Sequence, residues 1–448
     1  MSFEWPLKKI SEIADFLNSK RIPLKSLDRQ KRQGPYPYYG ASGIVDRIDG
    51  YIFDGTYLLI SEDGENLRTR KTPIAFKAHG KFWVNNHAHI LSEKEEGVLD
   101  YLEYYFSTLD LDPYITGAVQ PKLNKANLDS IEIPFPDKDT RLFINATLNS
   151  LTQKVAINHK LNQTLEQMAQ ALFKSWFVDF DPVKAKMAVL EVGGSQEDAT
   201  LAAMTAVSGK NSDALKVYES EHPEQYAELK YTAELFPSAM QDSELGVIPE
   251  GWRHGPLSNI ATFANGKVDV CSLTLETYIS TENMLENRAG ISTASSLPSV
   301  NSVPEFRCGH VLISNIRPYF KKIWLARFKG GRSADVLAFE ALDAVTVEYL
   351  YNLLYQEAFF NFMMLTSKGV KMPRGDKNAI MGWQCVHPDK KISNVFSKAV
   401  GEYYSFIEIN NAQNKTLTQL RDTLLPKLLS GEITLPDTEQ GAREAENV

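Results

Sequence analysis

Two stretches, Asn162–Phe177 (NQTLEQMAQALFKSWF) and Asn414–Leu429 (NKTLTQLRDTLLPKLL), begin 252 residues apart in a chain of 448, and their likeness decides the fold. The same offset aligns GAVQPKLNK from Gly117 with GVKMPRGDK from Gly369, and Pro136-Asp137-Lys138 with Pro388-Asp389-Lys390. Near the front, Leu7, Ile10 and Ala14 pair with Leu257, Ile260 and Ala264 at an offset of 250. Two copies of such length are too few and too long for a solenoid. They read as a duplicated half-molecule: a variable domain of roughly 130 residues, then a shared long helix.

The helix is legible from its spacing. Ile144, Leu148, Leu151, Val155, Asn158, Asn162, Leu165, Ala169, Leu172 and Trp176 recur at alternating steps of four and three. Adding 252 gives Phe396, Val400, Tyr403, Ile407, Asn410, Asn414, Leu417, Arg421, Leu424 and Leu428. This is a heptad seam with two polar layers at the same places in both copies. Two unrelated amphipathic helices seldom place asparagine twice at corresponding seam positions. A helix of about 40 residues spans about 60 Å. Pro426 should loosen or bend the last turn of the second copy. If the halves are related by an internal two-fold axis, the helices pair antiparallel, Asn158 faces Asn414 and Asn162 faces Asn410. Such polar layers cost stability but penalise slipped registers, so these four residues are the candidate register positions.

The net charge of −8 first argues against nucleic acid, but its distribution reverses that reading. Residues 187–250 hold twelve acids against three bases, and the tail from Gly431 holds five acids and Arg443. The remainder is therefore about +5 (−8 less −9 and −4). Within it, 306–334 carries seven Lys/Arg and no acid, and 18–34 carries six against Asp28. Binding follows the local field rather than the whole-chain sum. Three separate cysteines (Cys271, Cys308, Cys385) give no CxxC pair. No apolar run approaches a membrane span, and MSFEWPLKKI lacks a signal-peptide core, so the expected location is the cytoplasm.

The first domain alternates Tyr/Phe/Ile-rich runs with Gly and Pro, as in GYIFDGTYLLISEDG, and has a helical pattern at GVLDYLEYYFSTL. The second has strand-like HVLISNI and KIWLARF, then one helical run, VTVEYLYNLLYQEAFFNFMML. The expected class is α+β: two globular domains, each followed by a long helix, the helices pairing as an antiparallel coiled coil with pseudo-two-fold symmetry. The expected divisions are 1–137 (first domain), 138–180 (central helix), 181–250 (acidic connector with little core-forming pattern), 251–393 (second domain), 394–431 (distal helix) and 432–448 (disordered acidic tail).

Several strings go further. YPYYGASG at Tyr36–Gly43, SEDGENL at Ser61–Leu67, GKFWVNNHAHIL at Gly80–Leu91 and ALFKSWFVDFDPV at Ala171–Val183 resemble motifs of type I restriction-modification specificity subunits. SNIRPYFKKI at Ser314–Ile323 and KLLSGEI at Lys427–Ile433 are similar too. The resemblance covers essentially the whole chain. It implies two target-recognition domains, each reading one half of an asymmetric bipartite site on double-stranded DNA, with the helices as the ruler between them. It also implies two docked modification (methyltransferase) subunits, and restriction/translocase subunits in the larger complex.

Catalytic machinery is missing from the sequence. There is no GxxxxGK[ST] phosphate loop, no [ND]PP[YF] tetrapeptide and no convincing cofactor-binding glycine loop. His87 and His89 would share one face of a strand, but no third group stands at ligand spacing, so a structural role is favoured over a metal site. His79 and His159 are isolated. The expectation is a non-catalytic DNA-recognition subunit with no cofactor. A stand-alone methyltransferase or nuclease is the alternative, and a coiled-coil adaptor that binds only proteins a third. Candidate phosphate or base-edge groups are Lys20, Arg21, Arg32, Arg317, Lys321, Lys322 and Arg327, with Tyr38, Tyr39, Ser42, Asn315 and Tyr319 as polar readers. Lys122, Lys125, Lys371, Arg374 and Lys377 stand just before the helix of each half. Repeated positions suit backbone contacts better than readout, because two different half-sites need different readers.

Overall fold

The computed structural model describes residues 5–117, 120–244, 246–369 and 371–434. The acidic tail expected over 432–448 lies, from residue 435 on, outside the described residues. The chain divides into two units: residues 1–159 with 410–448, and residues 160–409. Each long helix therefore gives one half to each unit.

In the first unit, six strands form a mixed sheet. They are β1 (Ala14–Phe16), β2 (Gln33–Gly40), β3 (Gly43–Ile48), β4 (Phe53–Ser61), β5 (Ala75–Val84) and β6 (Ala88–Glu93), in spatial order 1-6-4-5-2-3. All neighbours are antiparallel except β2 and β5, which pair in parallel through Tyr38/Trp83 and Tyr39/Val84. Alternate residues face opposite sides of a strand. Leu58 and Ile60 accordingly join one core with Val98, Leu99 and Leu102 of helix α1 (Val98–Thr108), while Leu59 joins Phe82, Val84 and Ile90 on the other face. A short helix, α2 (Lys125–Asp129), precedes the first long helix, α3 (Lys138–Phe177).

The repeated Pro-Asp-Lys marks where the long helices begin. Asp137 accepts hydrogen bonds from the Thr140 amide (3.0 Å) and hydroxyl (2.9 Å), satisfying a first-turn donor as an N-cap should. Asp389 accepts one from the Lys391 amide (2.7 Å). The amides and hydroxyl on Asp137 hold its carboxyl below the usual carboxylate range.

Residues 181–250 are more ordered than their sequence pattern implies. They form α4 (Asp181–Glu191), α5 (Gln196–Ser208), α6 (Ser212–Glu221) and α7 (Pro223–Leu235), then a hairpin of β7 (Met240–Ser243) and β8 (Gly246–Pro249). Ala203, Met204, Leu215 and Ala233 form their own small core. Alanine packs helices closely while adding little to a hydrophobic-periodicity signal, which is why the core does not show in the sequence.

The second unit holds two four-stranded sheets. Its strands are β9 (Ala261–Phe263), β10 (Lys267–Asp269), β11 (Tyr278–Ile279), β12 (Ser302–Phe306), β13 (Val311–Ser314), β14 (Ile323–Leu325), β15 (Gly330–Arg332) and β16 (Val336–Ala341). The spatial orders are 9-16-13-14 and 10-12-15-11. The single helix expected over 345–365 is two, α8 (Val347–Tyr355) and α9 (Glu357–Leu365). Gln356 breaks the run with extended backbone, and its side-chain amide donates to Gln170 Oε1 (2.8 Å) and the Asn352 carbonyl (3.1 Å). Helix α10 (Lys377–Met381) then leads towards the second long helix, α11 (Lys390–Leu429), which continues through Pro426.

The long helices pair antiparallel inside each unit. In the first, Ile144 and Leu148 share a core with Leu425, Leu428 and Leu429, while Asn158 Nδ2 donates to Asn414 Oδ1 (2.9 Å) and Gln413 Oε1 (2.7 Å). Rising numbers on α3 thus meet falling numbers on α11. In the second, Phe396 packs against Phe173 and Trp176 with ring centroids 5.7 and 5.9 Å apart, and Tyr404 lies by Glu166.

Candidate nucleic-acid interface

The segment before each long helix folds in the same way in both units. In the first, Thr116 and Lys122 exchange two backbone hydrogen bonds of 2.8 Å, closing a tight loop. The loop is tied to the end of β4 by Gly64 N to Pro121 O (3.0 Å) and Leu123 N to Glu62 O (2.8 Å). In the second, Lys368 and Arg374 exchange two bonds of 2.9 Å. Arg317 N donates to Pro373 O (2.8 Å) and Gly375 N to Asn315 O (3.2 Å). Asn124 caps α2 through the Asn127 amide (2.9 Å), and Asp376 caps α10 through the Asn378 and Ala379 amides. The repeated glycines explain the loop: Gly117 and Gly369 sit at φ +87° and +100°, which L side chains rarely adopt. A Cβ on Gly117 would also lie 2.3 Å from the Gln120 carbonyl oxygen.

Each frame meets one further strand end. Glu62 N donates to the His87 carbonyl (2.9 Å), and Asn315 N to the Asp335 carbonyl (2.8 Å). In the first unit Ser61 Oγ also holds the Ala41 carbonyl (2.5 Å), and Asn85 N holds the Tyr39 carbonyl (3.0 Å). The β2–β3 turn with exposed Ser42, the end of β4, the β5–β6 turn and the 116–122 loop thus meet at one edge of the domain. Lys122 and Lys125 are exposed there, as are Lys371, Arg374 and Lys377 at the equivalent edge of the second unit. Lys20 is exposed too.

Several candidates are engaged within their own domain. Arg21 is largely covered: its guanidinium donates to Glu62 (2.6 Å) and to the carbonyls of Asn18, Asn86 and Ala88. Burial pushes the Glu62 carboxyl up, but Arg21 and the neighbouring cations hold it below the usual range. Tyr38 is fully buried with its hydroxyl accepting from the Leu24 amide (2.9 Å), so it supports the sheet and presents no group to a base edge. Tyr39 packs on Phe76 and Phe82. Arg32 is ion-paired to Asp49 (2.8 Å) and stacked over Trp83. Asn315 is buried and its amide donates to the Gly375 carbonyl (3.2 Å), a tie within the frame.

The remaining basic residues divide in the same manner. Arg327 pairs with Glu408 of α11 (2.8 Å) and lies over Tyr404, which commits it to the helix face of its unit. Lys321 pairs with Glu357 (2.8 Å), and Lys322 donates to the Thr281 carbonyl (2.8 Å). Arg317 takes a left-handed conformation (φ +51°), and its Nε has no partner among the described residues. Tyr319 is exposed beside it. Runs such as NSKRIPLKSLDRQKRQ announce charge, but sequence does not reveal which cations are spent on carbonyls and carboxylates.

The two histidines divide likewise. His89 is buried between the Asn18 amide (2.8 Å to Nδ1) and the Leu123 carbonyl (2.7 Å to Nε2), and burial pushes its pKa down. His87 is about half exposed, its Nδ1 2.8 Å from an Asp63 carboxylate oxygen. Among the described residues no group of three or more His, Cys, Asp or Glu could hold a metal ion. The pairs His87–Asp63 and Arg374–Asp335 (3.2 Å) were missed as units, since nothing in the sequence links residues 24 or 39 positions apart.

Residues 3–167 match the family model of the type I restriction modification DNA specificity domain. The type I restriction enzyme HindI specificity subunit of Haemophilus influenzae is 30% identical over 338 residues, covering 70% of this chain and 71% of that protein. The type I restriction enzyme MjaIX specificity subunit of Methanocaldococcus jannaschii is 24% identical over 97% of this chain and 94% of its own. In fold, the chain resembles the crystal structure of a type I restriction-modification system S subunit from M. genitalium, with a TM-score of 0.52 at 14% identity, covering 97% and 96% of the two chains. With two α+β units, paired long helices and this kinship across most of its length, the chain belongs to the specificity subunits of type I restriction enzymes.

Proposed function

We propose that this chain gives a type I restriction-modification complex its DNA sequence specificity. Each α+β domain reads one half of a bipartite, asymmetric site, and the paired helices act as spacer and as docking surface for two modification subunits, with restriction subunits joining the larger assembly. The observation that carries this reading is the doubled frame. Thr116–Lys122 and Lys368–Arg374 have the same hydrogen-bonded geometry, and exposed cations recur at two matched places, Lys122 with Arg374 and Lys125 with Lys377, while the surrounding strands differ. Cations repeated in place and chemistry suit phosphates, which carry no sequence information, and the differing surroundings suit base edges. The complex would act in the cytoplasm, where its DNA is. No helix among the described residues is long and apolar enough to cross a membrane.

Methylome sequencing of cells carrying the chain with its modification subunits tests the proposal. Methylation should mark one gapped motif with two unlike halves. Lys122→Ala and Arg374→Ala should each keep that motif while reducing the slope of log affinity on log salt by about 0.9, the share of a single neutralised phosphate. A motif without a gap, or methyl transfer by the purified chain alone, would overturn it.

A further inference from the structure

Two residues stand at equivalent points of the two frames but carry different chemistry. His87 and Asp335 each give their carbonyl to the first frame residue, Glu62 N or Asn315 N. Each also touches the short bridge through which the frame meets the loop. His87 Nδ1 contacts Asp63, which bridges Lys122, and Asp335 contacts Arg374, which bridges Ile316. Both side chains are accessible, His87 at 47% and Asp335 at 35% of full exposure. The cations beside them do match: Lys122 and Arg374 occupy one place, and Lys125 and Lys377 another.

We infer that His87 and Asp335 are specificity-determining residues that make the two half-sites differ. The inference rests on the DNA-reading function proposed above. A contact serving both half-sites alike cannot distinguish them, whereas one that matches in place and diverges in chemistry can. The Asp63 carboxylate engages His87 Nδ1 and leaves Nε2 as the ring atom for a base edge. Where the neutral ring donates Nδ1–H to Asp63, Nε2 accepts a hydrogen bond. Asp335 has only acceptors, one oxygen held by Arg374 and the other left over. In the major groove an acceptor selects the exocyclic amino group of adenine or cytosine over the oxygens of guanine and thymine. The adjoining Lys122 and Arg374 would hold the phosphate that fixes each reader's distance from its base.

The test is methylome sequencing of cells carrying the full complex with His87→Asn, Asp335→Asn or the exchanges His87→Asp and Asp335→His. The His87 variants should alter one position of one half-site, and the Asp335 variants one position of the other. Preference for the original base should fall about tenfold or more, the range of one good base-edge contact. Unchanged motifs at undiminished methylation would overturn the inference, as would changes in both halves from one variant. Loss of methylation at every site with the melting temperature retained would also overturn it, by assigning the residues to sequence-independent binding. Absence of a gapped motif in the unsubstituted complex would instead sink the DNA-reading function itself.

Discussion

Arg21 and Lys20 are neighbours in the chain with opposite roles. Lys20 is exposed, whereas Arg21 ties Glu62 to three carbonyls beneath the loop edge. Breaking a covered ion pair from one side leaves the other charge without compensation, at a cost of about 3–5 kcal/mol when burial is complete. Arg21 and Glu62 keep side-chain exposures of 15% and 13%, and Lys122 lies 3.6 Å from Glu62, which reduces that cost. Arg21→Ala should therefore destabilise the chain by about 2–3 kcal/mol in urea denaturation, and Lys20→Ala should leave stability within about 0.5 kcal/mol. Equal stability of the two variants would show that the Arg21 network holds nothing. Tyr38 teaches the same lesson: the string YPYYGASG identifies a recognition motif, but the pleat points one tyrosine into the core and the turn lifts Ser42 into solvent.

At the scale of elements, the polar layer of the helix pair is a trade of stability against register. Asn158 is buried and donates to Asn414, whose own Nδ2 has no partner among the described residues. Asn158→Ala would leave Asn414 with a buried, unsatisfied acceptor as well, at about 1–3 kcal/mol. Replacing both asparagines with leucine removes the buried orphans of the pair, leaves the exposed Gln413 to water, and should restore or exceed the original stability. Denaturation of Asn158→Leu, Asn414→Leu and the double variant gives the coupling energy directly. A double variant no more stable than Asn158→Ala would sink this explanation. The heptad spacing made both helices legible from sequence to within a few residues, with observed starts at Lys138 and Lys390. The break at Gln356 was not legible, because it depends on a side-chain bond to Gln170 far along the chain.

For the whole molecule, duplication means that each domain and its half of the helix pair form a unit of their own. Among the described residues one unit's core gathers Ile10, Leu58, Ile144 and Leu428, and the other's gathers Phe173, Leu257, Phe339 and Phe396. Exchanging residues 1–137 for the first domain of another specificity subunit should therefore change one half of the methylated motif and leave the other half as it was. Methylome sequencing reads both halves at once. Change in both would mean that the domains do not read independently.

The sequence by itself determined the duplication, the long helices, the α+β class and the family, because periodicity, repeat spacing and long motif strings are properties of the chain in one dimension. Only the tertiary structure decided which cations stay exposed and which are bound. It also decided that the alanine-rich acidic connector has a core, and that His87 and Asp335 occupy equivalent points of two frames. Those facts depend on which distant carbonyl or carboxylate folding brings within about 3 Å of a side chain, the reach of a hydrogen bond, and no local pattern records it.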